Sequence, residues 1–417
     1  MLTAEIIHTS FIIFFTLTIS VKLILLLLNI YHIKANFGQV PSEFSETITL
    51  EDHQKAQNYT LAKNKLSVFS LIFHGIILLL WLESSALNDL NSYVSSLSDQ
   101  AVYQGIGFII LFSLINSIFS IPESLYSTFV IEEKFGFNKM TPLLFIKDMG
   151  KQLLISLIIG VPFLFLILKI LYGLGDSWWF FTWLFIIAFQ FIMIWAYPKF
   201  IAPLFNKFSP LDDKELIKNV AALSERCEVS FKDYYVMNAS LRSSHGNAYF
   251  TGFGKNKRIV FFDTLLSSLK TDEVISVLAH ELGHFKRKHI LKMIVSSAFF
   301  LLVGLFILGQ LYDNPAFFEA FGFNKVEPYV ALLLFSLISS YYTFLFTPIS
   351  SWLSRKKEFE ADEFAATHAS AKKLISALLK MYKDNSSTLT PHPLYSKWYF
   401  SHPPAKERIE FLNKFSS

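Results

Sequence analysis

The chain has 417 residues, of which 53% are hydrophobic and 17% charged, with 45 Phe and a formal net charge of +4. So apolar a composition excludes a soluble globular chain, and a small positive balance with no basic stripe among aromatics excludes a nucleic-acid binder. The single cysteine, Cys227, excludes an intramolecular disulfide and a cysteine-based zinc cluster, and reads as a small buried apolar residue.

Seven apolar segments approach the roughly 20 residues that a helix needs to cross a bilayer. They lie at residues 6–31, 66–87, 102–121, 153–174, 178–197, 290–312 and 329–353. The first is too long for a signal-peptide core and no small-residue cleavage site follows it, so it is expected to remain as a helix. Charge alternates between connections. Those at residues 88–100 and 173–177 carry no Lys or Arg, and 311–328 carries only Lys325. The others hold Lys34, Lys55, Lys63 and Lys65, then Lys134, Lys139, Lys147 and Lys151, then Lys286, Arg287 and Lys288, and finally Arg355, Lys356 and Lys357. The positive-inside rule then predicts seven spans, the N-terminus outside and the C-terminus cytoplasmic. Residues 32–65 read as a loop with a helical second half and no evident chemistry of its own.

Two polar regions remain for structure outside the bilayer, giving an expected division into 1–197 (five spans), 198–289 (a cytoplasmic region), 290–353 (two spans) and 354–417 (a C-terminal region). Ser209 and an acidic turn precede apolar residues at helical spacing, predicting a helix from about Asp212 to Cys227. The stretches DYYVMN, NAYFTGFG and KRIVFFDTLL are aromatic and β-branched, and read as short strands of a small sheet punctuated by Gly252 and Gly254. Thr271 is then expected to cap a helix with Asp272 and Glu273 in its first turn, running unbroken into the apolar segment at Ile290.

That helix carries His280-Glu281-Leu282-Gly283-His284. Histidines four residues apart are separated by about 40° around the axis, so both imidazoles reach one ion, with Glu281 beside them as a proton acceptor. Catalytic zinc needs a third protein ligand and an open position for water. His284 lies about 9 Å before Ile290 along a helix, and Glu358 about 7.5 Å beyond Leu353, so the two sit at similar heights above the membrane. Asp362 shares the face of Glu358 and can orient a ligating histidine. Glu360 and Glu363 compete with Glu358 on composition, and spacing by itself prefers Glu358 only modestly.

The blocks HELGHFKRKH, SRKKEFEADEFA, HGNAYFTGFGKNKRIVFFDTLL, YSTFVIEEKFGFNKMT and SHPPAKERI resemble the type I CaaX prenyl endopeptidases, integral-membrane zinc proteases, over residues 41–412. The resemblance implies a mainly α fold: seven transmembrane helices form a barrel-like chamber capped by a small α+β metalloprotease domain. It further implies one Zn2+ per chain held by His280, His284 and Glu358, with Glu281 as general base and Asp362 behind the ligands. Asn247 and the edge strand Ala248, Tyr249 and Phe250 are implied to bind substrate. His402 and Arg408 are implied to steady the oxyanion or hold substrate, whereas His245 and His289 read as structural.

The expected reaction is peptide hydrolysis, removing the C-terminal tripeptide of prenylated CaaX proteins. The expected partners are such proteins, or other membrane-associated polypeptides, and the lipid bilayer. The expected location is the endoplasmic reticulum membrane in a eukaryote, or the inner membrane in a bacterium, where broader membrane-protein quality control is the alternative role. A site-2-type protease fits poorly because the motif here precedes its span. The non-enzyme alternative is a membrane chamber or transporter with structural zinc, which has no use for Glu281.

Overall fold

The computed structural model describes residues 2–251 and 258–416, so Gly252 and Gly254 lie outside the described residues. Among these residues, seven helices are long and apolar enough to cross a membrane: Ala4–Ala35, Leu50–Glu83, Ala101–Phe135, Pro142–Gly173, Gly175–Phe205, His289–Gly309 and Pro328–His368. Lipid offers no partner for an open N–H or C=O, so each crossing satisfies its backbone within its own helix. The protein is a multi-pass integral membrane protein. Most crossings extend well past their apolar runs, because polar residues continue the helices beyond the bilayer.

The regular helices are labelled as follows: α1 Ala4–Ala35, α2 Leu50–Glu83, α3 Ala101–Tyr126, α4 Pro142–Gly173 and α5 Trp178–Ala196. Outside the crossings come α6 Lys214–Arg226 and α7 Thr271–Lys286. Then follow α8 His289–Gly309, α9 Pro328–Thr343, α10 Thr347–His368, α11 Ala371–Asp384, α12 Pro393–Tyr399 and α13 Ala405–Asn413. The loop-plus-helix expectation for residues 32–65 holds, since α2 begins at Leu50, with Thr49 accepting from the Asp52 N–H.

The seven crossings close into a ring. Contacts run from α1 to α2, from α2 to the π-helical extension of α3 at Ser127–Glu132, and from α3 to α4. They continue through α5, α8 and α9 back to α1. Only 6–33% of each crossing's apolar window is buried, too little for helices packed on all sides, so the ring encloses space rather than a filled core. One end is sealed by an apolar cluster containing Phe11, Leu87, Phe108, Leu168, Trp178 and Phe317. The other end carries the polar regions.

There, four strands form a sheet in the order β1-β2-β4-β3: β1 Phe208–Pro210, β2 Asp233–Met237, β3 Ala248–Thr251 and β4 Arg258–Phe262. β2 and β4 are parallel, while β1 and β3 join antiparallel at the two sides. β1 was not foreseen: three residues with a proline carry no strand period. Apolar residues of α6, α7, α11 and the sheet, among them Leu223, Ile259, Phe261, Ala279, Leu282 and Leu374, share one buried core with Cys227. Arg242 clamps this region to the ring by donating Nε and Nη2 to Asp148 of α4 at 2.8 and 3.1 Å.

Two local expectations are corrected. The helix predicted to run unbroken past Ile290 stops at Lys286, because Lys288 takes a left-handed conformation (φ 56°) and α8 restarts at His289. No glycine or proline advertises that break. Thr271 is also not the cap: it is the first helical residue, after Lys270, whose backbone N–H donates to Glu273 Oε2 at 2.7 Å. The helix expected from about Asp212 runs over Lys214–Arg226, with Asp213 accepting from the Leu216 N–H.

Candidate metal centre

α7 brings His280 and His284 to one face, and α10, the continuation of the last crossing, brings Glu358 opposite them. The contact is close because Gly283 lies against α10: a Cβ there would stand 2.9 Å from Ala361 Cα and 3.1 Å from Phe364 Cβ. The His280 and His284 Nε2 atoms are 3.2 Å apart. Glu358 places Oε2 3.4 Å from His280 Nε2 and Oε1 3.2 Å from His284 Nε2. Tetrahedral ligands at zinc bond lengths of about 2.0–2.1 Å are separated by about 3.3–3.4 Å, the size of this triangle.

The donor chemistry fits a cation as well. Glu358 Oε2 is buried with no hydrogen-bond partner among the described residues, an arrangement costly unless something positive meets it. Burial pushes the His280 pKa down, but Asp362 and Glu358 outweigh it and raise it to about 9, so the pocket stabilises positive charge at this point. Two histidines and one carboxylate leave a fourth position open, the pattern of catalytic rather than structural zinc sites.

Each histidine is oriented from behind. Asp362 Oδ1 lies 2.8 Å from His280 Nδ1, and Asp362 itself accepts from Arg408 Nη2 at 2.5 Å and from Nε at 2.9 Å. His284 Nδ1 faces His289 Nδ1 at 3.0 Å, and His289 Nε2 meets Glu360 Oε2 at 3.0 Å. Glu360, a competitor for the ligand role, is therefore turned to His289, and Glu363 does not join the ligand cluster. The His289 to Glu360 relay was missed by sequence reasoning: five residues beyond His284 in a continuous helix is about 140° around the axis, and only the break at Lys288 turns His289 back.

The remaining expected residues divide by what they touch. Glu281, Asn247, His402 and Arg408 line, with His280, a cavity of about 690 Å³. His402 is 63% exposed, with Nε2 3.5 Å from Glu358 Oε2, so it stands at the site while facing the open space. Arg408 is buried and has Nε and Nη2 committed to Asp362, which makes its visible work the holding of that carboxylate and, through it, of His280. Asn247 Oδ1 accepts from the Ala248 N–H, and β3 is the terminal strand of the sheet. Ala248 is buried in the core and Phe250 stacks on Phe231, while Tyr249 meets Phe262 edge-on. These three therefore present main chain, not side chains, to any peptide alongside. His245, expected to be structural, makes a 3.1 Å contact with Asn385 and stacks on Phe137.

Residues 29–207 match the family described as CAAX prenyl protease N-terminal, five membrane helices, and residues 210–416 match peptidase family M48. A Saccharomyces cerevisiae protein named CAAX prenyl protease 1 is 35% identical over 412 residues, spanning 92% of this chain and 90% of its own. The chain belongs to this family. The Homo sapiens CAAX prenyl protease 1 homolog is 34% identical, covering 89% of this chain and 88% of its own. The crystal structure of S. mikatae Ste24p superposes with a TM-score of 0.92 at 32% identity, covering 99% of this chain and all of that one. Family membership makes the protein a membrane metalloendopeptidase, and the fold carries the family's seven-helix ring with a small sheet domain at one end.

Proposed function

We propose that the protein uses Zn2+ to remove the C-terminal tripeptide of prenylated CaaX proteins. The observation that carries the metal reading is the triangle of His280, His284 and Glu358, with Glu281 next to it on the cavity wall. The substrate class comes from the relatives named CAAX prenyl protease 1. A substrate with a lipid on its cysteine sits in the bilayer while its C-terminal tail reaches polar space, and the site lies where the crossings α8 and α10 leave their apolar runs.

When bound, the ion acts as a Lewis acid toward the scissile carbonyl and lowers the pKa of water to about 7. Glu281 accepts the proton of the attacking water and passes it to the leaving amine. The backbone of β3 holds the substrate extended by strand addition, leaving its scissile bond facing Glu281. His402 donates to the oxygen on which charge develops, while Arg408 holds Asp362 and, through it, the His280 ring.

The reading includes the division at residues 1–197, 198–289, 290–353 and 354–417, with the last crossing delivering Glu358 to the site. It also places the N-terminus outside and the catalytic region in the cytoplasm, in the endoplasmic reticulum membrane of a eukaryotic host or the inner membrane of a bacterial one. The experiment is cleavage of a farnesylated CaaX peptide by purified protein and by Glu281→Gln, with metal content measured on both. About one equivalent of zinc in each, and a rate lower by about 10²–10⁴-fold in Glu281→Gln, is expected. Folded protein without metal, or an active Glu281→Gln, sinks the reading.

A further inference from the structure

One face of α10 carries Ser351, Arg355, Glu358 and Asp362, at steps of four, three and four residues, so the four side chains form a single stripe. The chain from Ser396 to Arg408 lies along that stripe in register. Ser351 Oγ donates to the Trp398 carbonyl at 2.7 Å. Arg355 Nη1 donates to the carbonyls of Phe400, Lys397 and Ser396 at 2.9, 3.1 and 3.3 Å. His402 Nε2 then stands 3.5 Å from Glu358 Oε2, and Arg408 closes on Asp362. The meetings at Glu358 and Asp362 belong to the metal centre. The two before them serve no step described above.

The three carbonyls that Arg355 gathers sit where α12 ends. The last carbonyls of a helix have no partner inside it, and a guanidinium, which offers several N–H donors and no acceptor, suits them. Phe400 is two residues from His402, a span of roughly 7 Å at most, so the carbonyl held at 2.9 Å fixes where the imidazole can stand. Packing does not do this work, because His402 is exposed toward the cavity. Nor does the backbone beyond it: Pro403 and Pro404 follow, and neither has an N–H to donate.

We infer that Arg355 is a positioning residue for the reaction: by holding the end of α12 it sets where His402 stands over Glu358. The inference rests on the reading of His402 as donor to the oxygen on which charge develops, and adds what places that donor. Arg355 lies about 4.5 Å along α10 from Glu358. A single rigid helix therefore sets the distance between a metal ligand and the oxyanion donor, although the donor itself comes from a loop.

The test is a double-mutant cycle on the full-length, metal-loaded protein in detergent, with a farnesylated CaaX peptide and its unprenylated counterpart as substrates. Arg355→Met is expected to lower kcat by about 10²-fold, the size of a misplaced catalytic group, with KM and zinc content unchanged. Arg355→Lys keeps a charged donor near the carbonyls and is expected to lose less; it carries the test if the methionine variant does not fold. In the His402→Ala background, itself lower by about 10²–10³-fold, neither change at Arg355 should lower kcat further. Losses that multiply, or zinc lost from an Arg355 variant, overturn the inference, because the residue then acts on something other than His402. A fully active His402→Ala removes the oxyanion reading and the inference with it. Hydrogen exchange reads the placement without turnover: residues 396–402 are expected to exchange faster in the Arg355 variants, and residues 277–286 to stay as they are. Unchanged exchange over 396–402 overturns the inference, even where neither peptide is cut.

Discussion

His284 and His289 face each other through their Nδ1 atoms at 3.0 Å, with His289 Nε2 directed to Glu360. If His284 gives its Nε2 lone pair to an ion, its Nδ1 carries the proton and donates to His289, whose own proton then lies on Nε2 and points at Glu360. The protons are all accounted for with both rings neutral. His289→Ala is therefore expected to weaken zinc binding by about 10–100-fold, as loss of a ligand's outer partner does. His289→Gln, which keeps an acceptor, recovers part of it. A competition titration with a chelator reads the difference, and an unaltered affinity in His289→Ala would mean that the contact orients nothing.

Gly283 sets the separation of the two ligand-bearing helices. The Cβ of Gly283→Ala meets backbone of Ala361 at 2.9 Å, and backbone cannot swing aside. The strain is expected to cost about 1–3 kcal/mol, read as a lower unfolding midpoint, and to move His284 away from Glu358. Zinc affinity should fall with it, although no ligand has changed. Retained metal affinity at reduced stability would show that the helices part without disturbing the triangle.

Arg408 and Asp362 form a buried, two-point ion pair. Removing one partner leaves a buried charge, so Arg408→Met is expected to destabilise by about 3–5 kcal/mol, whereas the double change Arg408→Met with Asp362→Leu should recover much of that. Chemical denaturation of the three variants in detergent forms the cycle. Additive losses would show that the pair is not coupled.

Glu273 ties α7 to α11. It accepts from Ser376 Oγ and Lys380 Nζ, both at 2.7 Å. Burial pushes its pKa up, but Lys380, the Lys270 N–H and Ser376 outweigh that and hold it below the ordinary carboxylate range. A carboxylate depressed in the folded state contributes stability that is full above its unfolded value of about 4.3 and is lost as pH falls through the folded value. Glu273→Gln is expected to flatten the fall in stability below about pH 4.5, measured as unfolding midpoint against pH. An identical acid limb in both proteins would assign it to other carboxylates.

The legible parts of the site were the local ones. His280 and His284 stand one turn apart on a helix, and a period of 3.6 residues is written in the chain itself. Glu358, Glu360 and Glu363 fall within a turn and a half of one helix, and composition offered no choice among them. Packing chose: Gly283 admits α10 with Glu358 inward, and Glu360 is taken by His289. Arg408 was expected to steady the oxyanion or hold substrate, and the structure gives two of its nitrogens to Asp362.

Hydrophobic runs, the charge of the connections and one helical turn of metal-binding residues were enough for the sequence alone to determine a seven-span membrane protein with a histidine-glutamate hydrolytic motif. Each is a short-range pattern, imposed by the bilayer's thickness or by the helix period. The third carboxylate, the supports behind each imidazole and the break at Lys288 were decided by tertiary structure. They depend on which faces of distant helices meet, and close packing settles that only when the whole ring and its sheet domain are assembled.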